Sequence, residues 1–139
     1  MVAETEEGLA LTLDFTKLDT VVATGQGVVP VVLQHAETGD VLFVGYANRE
    51  ALAATLDEGR AVLWSTSRNE LWRKGETSGD LLELVDVRVN CEQNSVLYRV
   101  RPVTTGVCHT SGRTGEARPT CYYRQLVSLD ELTFVDGLA

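Results

Sequence analysis

Residues 28–47 read VVPVVLQHAETGDVLFVGYA, and this stretch decides the fold class. Two apolar runs rich in β-branched residues, at 28–35 and 41–47, flank the polar segment 36–40, which contains Gly39 and Asp40. Apolar runs of this length on either side of a short glycine-containing segment are typical of a β-hairpin. The sequence therefore predicts an antiparallel pair of strands here.

The segment after the hairpin has the pattern of the chain's one main helix, over residues 48–58. Asn48 is a favourable N-cap, Glu50 falls in the first turn, and Gly59 can end the helix in a left-handed conformation. One face of this helix is expected to pack on the core, and its members are Ala51, Leu52, Leu56 and either Ala54 or Thr55.

The rest of the chain returns to strand patterns. Strands are expected at 61–67, 81–92 and 95–101, with shorter ones at 121–127 and 132–136. Within 81–92 the residues alternate, so that two opposite faces are predicted: Val85, Val87, Val89 and Cys91 on one, and Asp86, Arg88, Asn90, Glu92 and Asn94 on the other. The pattern predicts a single α+β domain over residues 1–139 with a largely antiparallel sheet, and polar loops at 68–80 and 104–120.

Composition excludes several classes of protein. The 139-residue chain carries a net charge of −8, which argues against a nucleic-acid-binding protein but leaves room for local cations that bind an anionic substrate. It has no apolar run long enough to span a membrane, and its acidic N-terminus does not resemble a secretory signal. Three cysteines cannot all pair within one chain, so a cytoplasmic protein with metal-binding or catalytic thiols is expected.

The three cysteines and one histidine are candidate site residues. Cys91, Cys108 and Cys121 would supply the three thiolates of a catalytic zinc site that keeps a fourth position open for water. The alternative is that Cys91 and Cys121 are small buried apolar residues. His109 follows Cys108 in a polar loop, where it could carry protons at neutral pH or simply be a hydrogen-bonded surface residue.

Residues 65–79 combine cations, hydroxyls and glycines. Such a segment can hold a phosphate through arginine side chains and free backbone N–H groups, and Trp72 could stack on a base. The alternative is a solvated connecting loop. The candidate binding residues are Ser65, Ser67, Arg68, Trp72, Arg73, Lys74, Glu76, Thr77 and Ser78.

These motifs resemble the phosphoribosyl-AMP cyclohydrolase family of histidine biosynthesis. The resemblance spans about residues 14–124 and leaves 125–139 as a C-terminal extension that resembles an added strand or interface segment. It rests on ordered matches, namely Gly27-Val28-Val29-Pro30, Tyr46-Ala47-Asn48, Leu71-Trp72-Arg73-Lys74-Gly75-Glu76-Thr77-Ser78-Gly79, Gly106-Val107-Cys108-His109-Thr110 and Cys121-Tyr122-Tyr123-Arg124.

The resemblance implies a zinc hydrolase that opens the adenine ring of phosphoribosyl-AMP, with attack at C6 and cleavage of the N1–C6 bond. It also implies an intertwined homodimer with shared zinc sites, each built from Cys91 of one subunit and Cys108 and Cys121 of the other. His109 is then the candidate proton carrier to the departing ring nitrogen, and the segment 65–79 is expected to hold the phosphoribosyl groups.

Three features depart from the family pattern. Asn90, Glu92 and Asn94 stand where the family has three aspartates that bind magnesium. Because Mg²⁺ prefers anionic oxygens in tight geometry, we expect a weak magnesium site or none. Twelve residues separate Cys108 from Cys121, more than is usual in the family, and His35 replaces a usual aspartate.

Three functions remain open from the sequence alone. The first is the phosphoribosyl-AMP cyclohydrolase reaction. The second is hydrolysis of a different nucleotide or heterocycle by a divergent paralogue in a specialised pathway. The third is a non-catalytic module that binds zinc or a nucleotide, which the altered face of Asn90, Glu92 and Asn94 favours.

Overall fold

The computed structural model describes residues 4–139. Three helices and eight strands follow one another within these residues. In order they are α1 (Glu4–Glu7), α2 (Lys17–Ala23), β1 (Val29–His35), β2 (Val41–Ala47), α3 (Arg49–Glu58), β3 (Val62–Ser65), β4 (Glu70–Arg73), β5 (Leu82–Val89), β6 (Val96–Pro102), β7 (Arg124–Leu126) and β8 (Leu132–Phe134). None of the helices among residues 4–139 is long and apolar enough to cross a membrane.

The central sheet has four strands in the order β2-β1-β6-β5. Strands β1 and β2 form the expected antiparallel hairpin, with Val31 opposite Gly45. Strands β5 and β6 are also antiparallel, whereas β1 and β6 run parallel with Leu33 opposite Tyr98. The expected α+β class and largely antiparallel sheet are confirmed.

His35 stabilises the turn of the first hairpin. Its Nδ1 accepts hydrogen bonds from the backbone N–H groups of Glu37 at 3.1 Å and Thr38 at 3.3 Å. The imidazole therefore satisfies turn donors that the sheet leaves unpaired, which is a structural role.

Helix α3 begins and ends as its sequence predicts. The Asn48 side chain accepts a hydrogen bond from the Ala51 backbone N–H at 2.9 Å, and Gly59 ends the helix at φ 71°. The expected buried face is only partly right, because Leu56 is exposed and the buried positions are Ala51 and Thr55.

Thr55 takes the inward position because its hydroxyl has partners there. The hydroxyl lies 2.9 Å from the carbonyl oxygens of Ala51 and Val62 and accepts from the Val62 N–H at 3.0 Å. The Tyr98 hydroxyl, 3.3 Å away, completes the group. A buried hydroxyl costs little when it is hydrogen-bonded, so a polar residue can fix α3 against β3 and β6.

Removing the helix cap gives a test of this local account. Asn48→Ala is expected to lower the free energy of unfolding by about 1 kcal/mol, because the Ala51 N–H loses its acceptor. Urea unfolding measures the change. Asn48→Ser, which keeps a capping oxygen, is the matched control and should stay close to wild type. Equal stability of Asn48→Ala and wild type would contradict the account.

The expectation that residues 68–80 form a loop needs correction, because β4 lies inside them and pairs with β3, with Trp72 opposite Leu63. A tight turn at 66–69, with Asn69 at φ 55°, reverses the chain and forms this short hairpin.

The helices α1 and α2 were not expected, since α1 is a single turn and α2 is rich in β-branched residues.

The strand expected at 81–92 is shorter and carries a bulge. The register of β5 shifts between Leu84 and Asp86, so Val85 is an extra residue and the simple alternation of faces fails. Leu84 and Val87 pack against the core, whereas Val85 and Val89 are exposed. Because the strand ends at Val89, residues 90–94 lie in the turn before β6 and not on a strand face.

The C-terminal strands were predicted in the right places with wider bounds. Strands β7 and β8 form a small antiparallel hairpin, with Gln125 opposite Thr133. This hairpin holds residues 9–11, because the Leu132 N–H donates to the Leu9 carbonyl at 2.8 Å and the Leu11 N–H donates to Asp130 at 3.0 Å.

Candidate active site

A cleft of about 720 Å³ lies between residues 68–80 and 107–121. It unites most of the residues that the sequence singled out, although the two segments are far apart in the chain. The predicted site residues that line it are Arg68, Trp72, Arg73, Lys74, Glu76, Thr77, Ser78, Cys108, His109 and Cys121.

Two thiols form the chemical centre of the cleft. Cys108 is 4% exposed, and its Sγ lies 3.1 Å from the Thr110 hydroxyl. A hydrogen bond from Cys121 lowers the pKa of Cys108, and the same contact raises the pKa of Cys121. The two sulfur atoms therefore lie close together in the cleft and form a soft donor pair that suits zinc.

The backbone fixes both cysteines. The Cys108 N–H donates to the Arg118 carbonyl at 2.8 Å, and the Cys121 N–H donates to the Leu42 carbonyl in β2 at 2.8 Å. The first bond closes the loop between the two cysteines, residues 109–120, which we call the long cysteine loop. The second bond connects this loop to the central sheet. Within the loop, Gly112 N–H donates to Glu116 at 3.0 Å, so the extra residues form an ordered turn.

Lys74 places a buried ammonium group beside these thiols. The side chain is 8% exposed, and its Nζ lies 3.4 Å from the Asp80 carbonyl oxygen. Burial lowers the pKa of Lys74, while the nearby charges of Asp80, Cys121 and Cys108 oppose that shift. Lys74 therefore belongs to the interior of the cleft, close to the sulfur atoms.

The turn after Lys74 requires glycine. Gly75 has φ 81°, and a Cβ there would lie 2.3 Å from the Asp80 carbonyl group. The Gly79 N–H donates to the Gly75 carbonyl at 2.8 Å and closes the turn. Within residues 4–139 the backbone N–H groups of Thr77 and Ser78, which line the cleft, have no protein acceptor.

The arginines of this segment differ in availability. Arg73 makes a two-pronged contact with Glu58 of α3, from Nε at 3.1 Å and from the terminal nitrogen at 2.9 Å. Arg68 is more exposed, and its Nε lies 3.6 Å from the Glu70 carboxylate and 3.5 Å from the Ser65 Oγ. The cation with the greater freedom to reach a ligand is therefore Arg68.

Trp72 lines the cleft, whereas the two predicted serines do not. Trp72 is half-buried, with its ring centroid 6.0 Å from that of Phe43. Ser65 and Ser67 do not line the cleft. The Ser65 Oγ accepts from the Arg68 N–H at 3.2 Å and so stabilises the turn of the β3–β4 hairpin.

His109 stands at the cleft with its side chain exposed, and its Nε2 contacts the Glu6 carboxylate. Sequence reasoning missed Glu6 and Glu58, which pair with the site residues His109 and Arg73. In the sequence, the glutamates of the N-terminus were considered only for the net charge. A carboxylate that reaches its partner only in the folded chain has no sequence motif that would identify it.

Cys91 lies outside the cleft, in the exposed turn after β5. In the same turn the Asn90 Nδ2 donates to the Asn94 Oδ1 at 2.6 Å, and the Asn94 Nδ2 donates to Glu92 at 3.1 Å. The three side chains converge through this turn. Among residues 4–139 no group of three or more His, Cys, Asp or Glu side chains is placed to hold a metal.

Fold and site together define an α+β protein with a thiol-bearing cleft, and comparison with known proteins specifies the family. The model of the phosphoribosyl-AMP cyclohydrolase family matches residues 43–123. The phosphoribosyl-AMP cyclohydrolase of Methylococcus capsulatus is 47% identical over 109 residues, which cover 78% of this chain and 80% of that protein. The enzyme of Marinobacter nauticus is 43% identical over 109 residues, covering 78% and 75%.

A relative from Thermus thermophilus, the histidine biosynthesis bifunctional protein HisIE, is 48% identical over 113 residues. The match covers 81% of this chain and 50% of that protein, so the chain spans half the length of this bifunctional relative. The chain belongs to the phosphoribosyl-AMP cyclohydrolase family, and the resemblance expected from its motifs is confirmed.

Proposed function

We propose that the protein is a zinc-dependent hydrolase that opens the adenine ring of phosphoribosyl-AMP at the N1–C6 bond, in histidine biosynthesis. The observation that carries this proposal is the single cleft in which the Cys108–Cys121 pair faces the glycine-containing turn at 74–79. The names of the relatives, all phosphoribosyl-AMP cyclohydrolases or a histidine biosynthesis protein, supply the substrate.

The donor set of the cleft fits a shared zinc site. Cys108 and Cys121 provide two soft ligands, and a third is needed for a catalytic site. Cys91, which is exposed in its turn, is the proposed third ligand, supplied by a second protomer. A zinc ion so bound would bring the pKa of a coordinated water to about 7 and supply the attacking oxygen at neutral pH.

The phosphoribosyl groups are assigned to the opposite wall of the cleft. The backbone N–H groups of Thr77 and Ser78, which have no acceptor among residues 4–139, suit phosphate oxygens, and the exposed Arg68 can add a charge-assisted contact. Arg73 is held by Glu58 and Lys74 is buried near the thiols, so both are better placed to shape this wall than to reach outward. Trp72 offers one ring surface to the base.

His109 is proposed as the group that delivers a proton to the departing ring nitrogen. It neighbours Cys108 in the chain, lines the cleft and is exposed to a bound molecule. The Glu6 carboxylate contacts its Nε2 and so orients the ring. A histidine held by a carboxylate is a common arrangement for proton transfer near neutral pH.

A homodimer would complete the site. The outer face of the central sheet exposes Val41 and Val44, next to a shallow apolar cleft of about 400 Å³ lined by Val32, Val89 and Leu97. Asn90, one residue before Cys91, also lines this cleft. A second copy on this face would cover apolar area and bring the Cys91 turn to another protomer.

We propose a cytoplasmic location because the site requires reduced thiols. Cys108 and Cys121 are in contact yet must stay reduced to bind a metal, and the cytoplasm keeps thiols reduced.

Mixing two inactive variants tests the shared site. Cys91→Ser and Cys108→Ser are each expected to be inactive, yet a refolded equal mixture should recover about a quarter of wild-type activity. Half of the dimers are then mixed, and each mixed dimer holds one complete site, with Cys91 from one chain and Cys108 from the other. Mixing Cys108→Ser with Cys121→Ser is the control and should recover nothing. No recovery in the first mixture would contradict the shared site.

Added magnesium is expected to have little effect. Millimolar Mg²⁺ should change turnover by less than about twofold, because two amides and one carboxylate replace the anionic set that this ion prefers. The measurement is turnover against Mg²⁺ concentration in the zinc-loaded protein. Replacing both Asn90 and Asn94 with Asp should create a magnesium response. A steep requirement in the wild type would overturn the expectation.

Growth of a histidine auxotroph that lacks its own cyclohydrolase tests the proposed function. Expression of this chain should restore growth without histidine, and expression of Cys108→Ser should not. Failure of a folded, zinc-containing wild-type protein to restore growth would favour the divergent paralogue, with another nucleotide or heterocycle as its substrate.

A further inference from the structure

Arg118, in the long cysteine loop, joins three separate parts of the chain. Its guanidinium is 3% exposed and donates to both carboxylate oxygens of Glu7, at 2.5 and 2.7 Å. Its Nε donates to the Leu138 carbonyl at 2.7 Å, and its Cζ lies 4.0 Å from the centre of the Tyr123 ring. The helix α1 and residue 138 therefore both meet the loop at this side chain.

The backbone of the same residue holds a proposed metal ligand. The Arg118 carbonyl accepts hydrogen bonds from the N–H groups of Val107 at 2.9 Å and Cys108 at 2.8 Å. The Arg118 N–H donates to the Thr110 carbonyl at 3.0 Å. Any shift of Arg118 is thus transmitted directly to the backbone of Cys108, and through Tyr123 to the segment that follows Cys121.

Helix α1, which carries Glu7, is also anchored to the segment that follows Cys121. The Tyr123 hydroxyl donates to the Glu6 carbonyl at 2.7 Å, and Arg124 donates to the carbonyls of Thr5 at 2.7 Å and Gly8 at 2.8 Å. The hydrogen bond from Arg118 lowers the pKa of Glu7, so the carboxylate is charged at neutral pH. Loss of Glu7 would leave a buried guanidinium without its counter-charge.

We propose that Glu7 and Arg118 are positioning residues for the metal centre, and that their ion pair fixes the geometry in which Cys108 and Cys121 bind zinc. The inference rests on the proposed function. Outer partners that orient metal ligands typically contribute about 10–100-fold to metal affinity, and the Glu7–Arg118 pair acts on Cys108 through the backbone hydrogen bond between Cys108 and Arg118. It also gives α1 and the long loop a role at the site.

Zinc affinity of the full chain, measured by competition with a chromophoric chelator, tests the proposal. Glu7→Ala should raise the zinc dissociation constant by about 10–100-fold while its circular dichroism stays native. Arg118→Lys, which keeps the charge but loses the two-pronged geometry, should fall between Glu7→Ala and wild type. Glu37→Ala removes a surface ion pair with Arg101 (2.8 Å) outside the cleft and should bind zinc like wild type.

Amide hydrogen exchange in the zinc-free proteins gives a second readout. The amides of Val107 and Cys108 should exchange faster in Glu7→Ala than in wild type, whereas those of the central sheet should not change. Wild-type zinc affinity in a folded Glu7→Ala protein would overturn the inference and leave the proposed function standing. A wild-type protein that binds no zinc would overturn both.

Discussion

Cys108→Ser is expected to abolish zinc binding and turnover together. Cys108 is the buried member of the thiol pair, and the hydrogen bond from Cys121 stabilises its thiolate, the form that binds a metal. A serine hydroxyl at the same place is a much poorer zinc ligand. The loss of affinity should exceed the ~10–100-fold that follows removal of an outer-shell partner.

Zinc content per chain and turnover, measured on the same preparation, check this expectation. Thr114→Ala is the matched control, because Thr114 lies in the same loop but does not line the cleft. It should retain both zinc and activity. A Cys108→Ser protein with one zinc per site and full turnover would remove Cys108 from the metal centre.

His109→Ala is expected to leave zinc in place and to lower kcat by about 10²–10⁴-fold, the usual contribution of a positioned general acid. The side chain is exposed and makes its contact with Glu6, so its removal should not disturb the core. Metal content and folding should therefore match wild type while the chemical step is slow.

Single-turnover kinetics with the zinc-loaded variant provide the measurement. His35→Ala serves as the control, since this other histidine supports the turn between β1 and β2 and lies outside the cleft lining. It should have wild-type kcat. Unchanged turnover in His109→Ala would make His109 an ordinary surface residue.

The local parts of the fold could be predicted because they depend on short stretches of sequence. Asn48 and Gly59 bound α3 through backbone conformations that neighbouring residues impose. The parallel pairing of β1 with β6 could not be predicted in this way, since strand alternation carries no information on direction. The bulge at Val85 also escaped prediction, because one extra residue leaves no mark in the apolar pattern.

The same distinction between local sequence and tertiary contacts applies to the candidate site. Cys108, Cys121 and the segment 65–79 are candidates from the sequence because their residue types suit metal and phosphate chemistry, and the fold brings both cysteines and residues between 68 and 78 to one cleft. The partners that hold them could not, because Glu7 and Glu58 meet their arginines only in the folded chain. The half-burial of Trp72 likewise depends on Phe43, which lies on another strand.

Turnover of phosphoribosyl-AMP by the purified, zinc-loaded protein tests the central claim most directly. The ring opening changes the ultraviolet absorbance of the base, so the reaction can be followed continuously and compared with the chelator-stripped protein. We expect turnover that disappears when zinc is removed and returns when zinc is restored. A folded, zinc-loaded protein that leaves phosphoribosyl-AMP unchanged, with and without Mg²⁺, would contradict it.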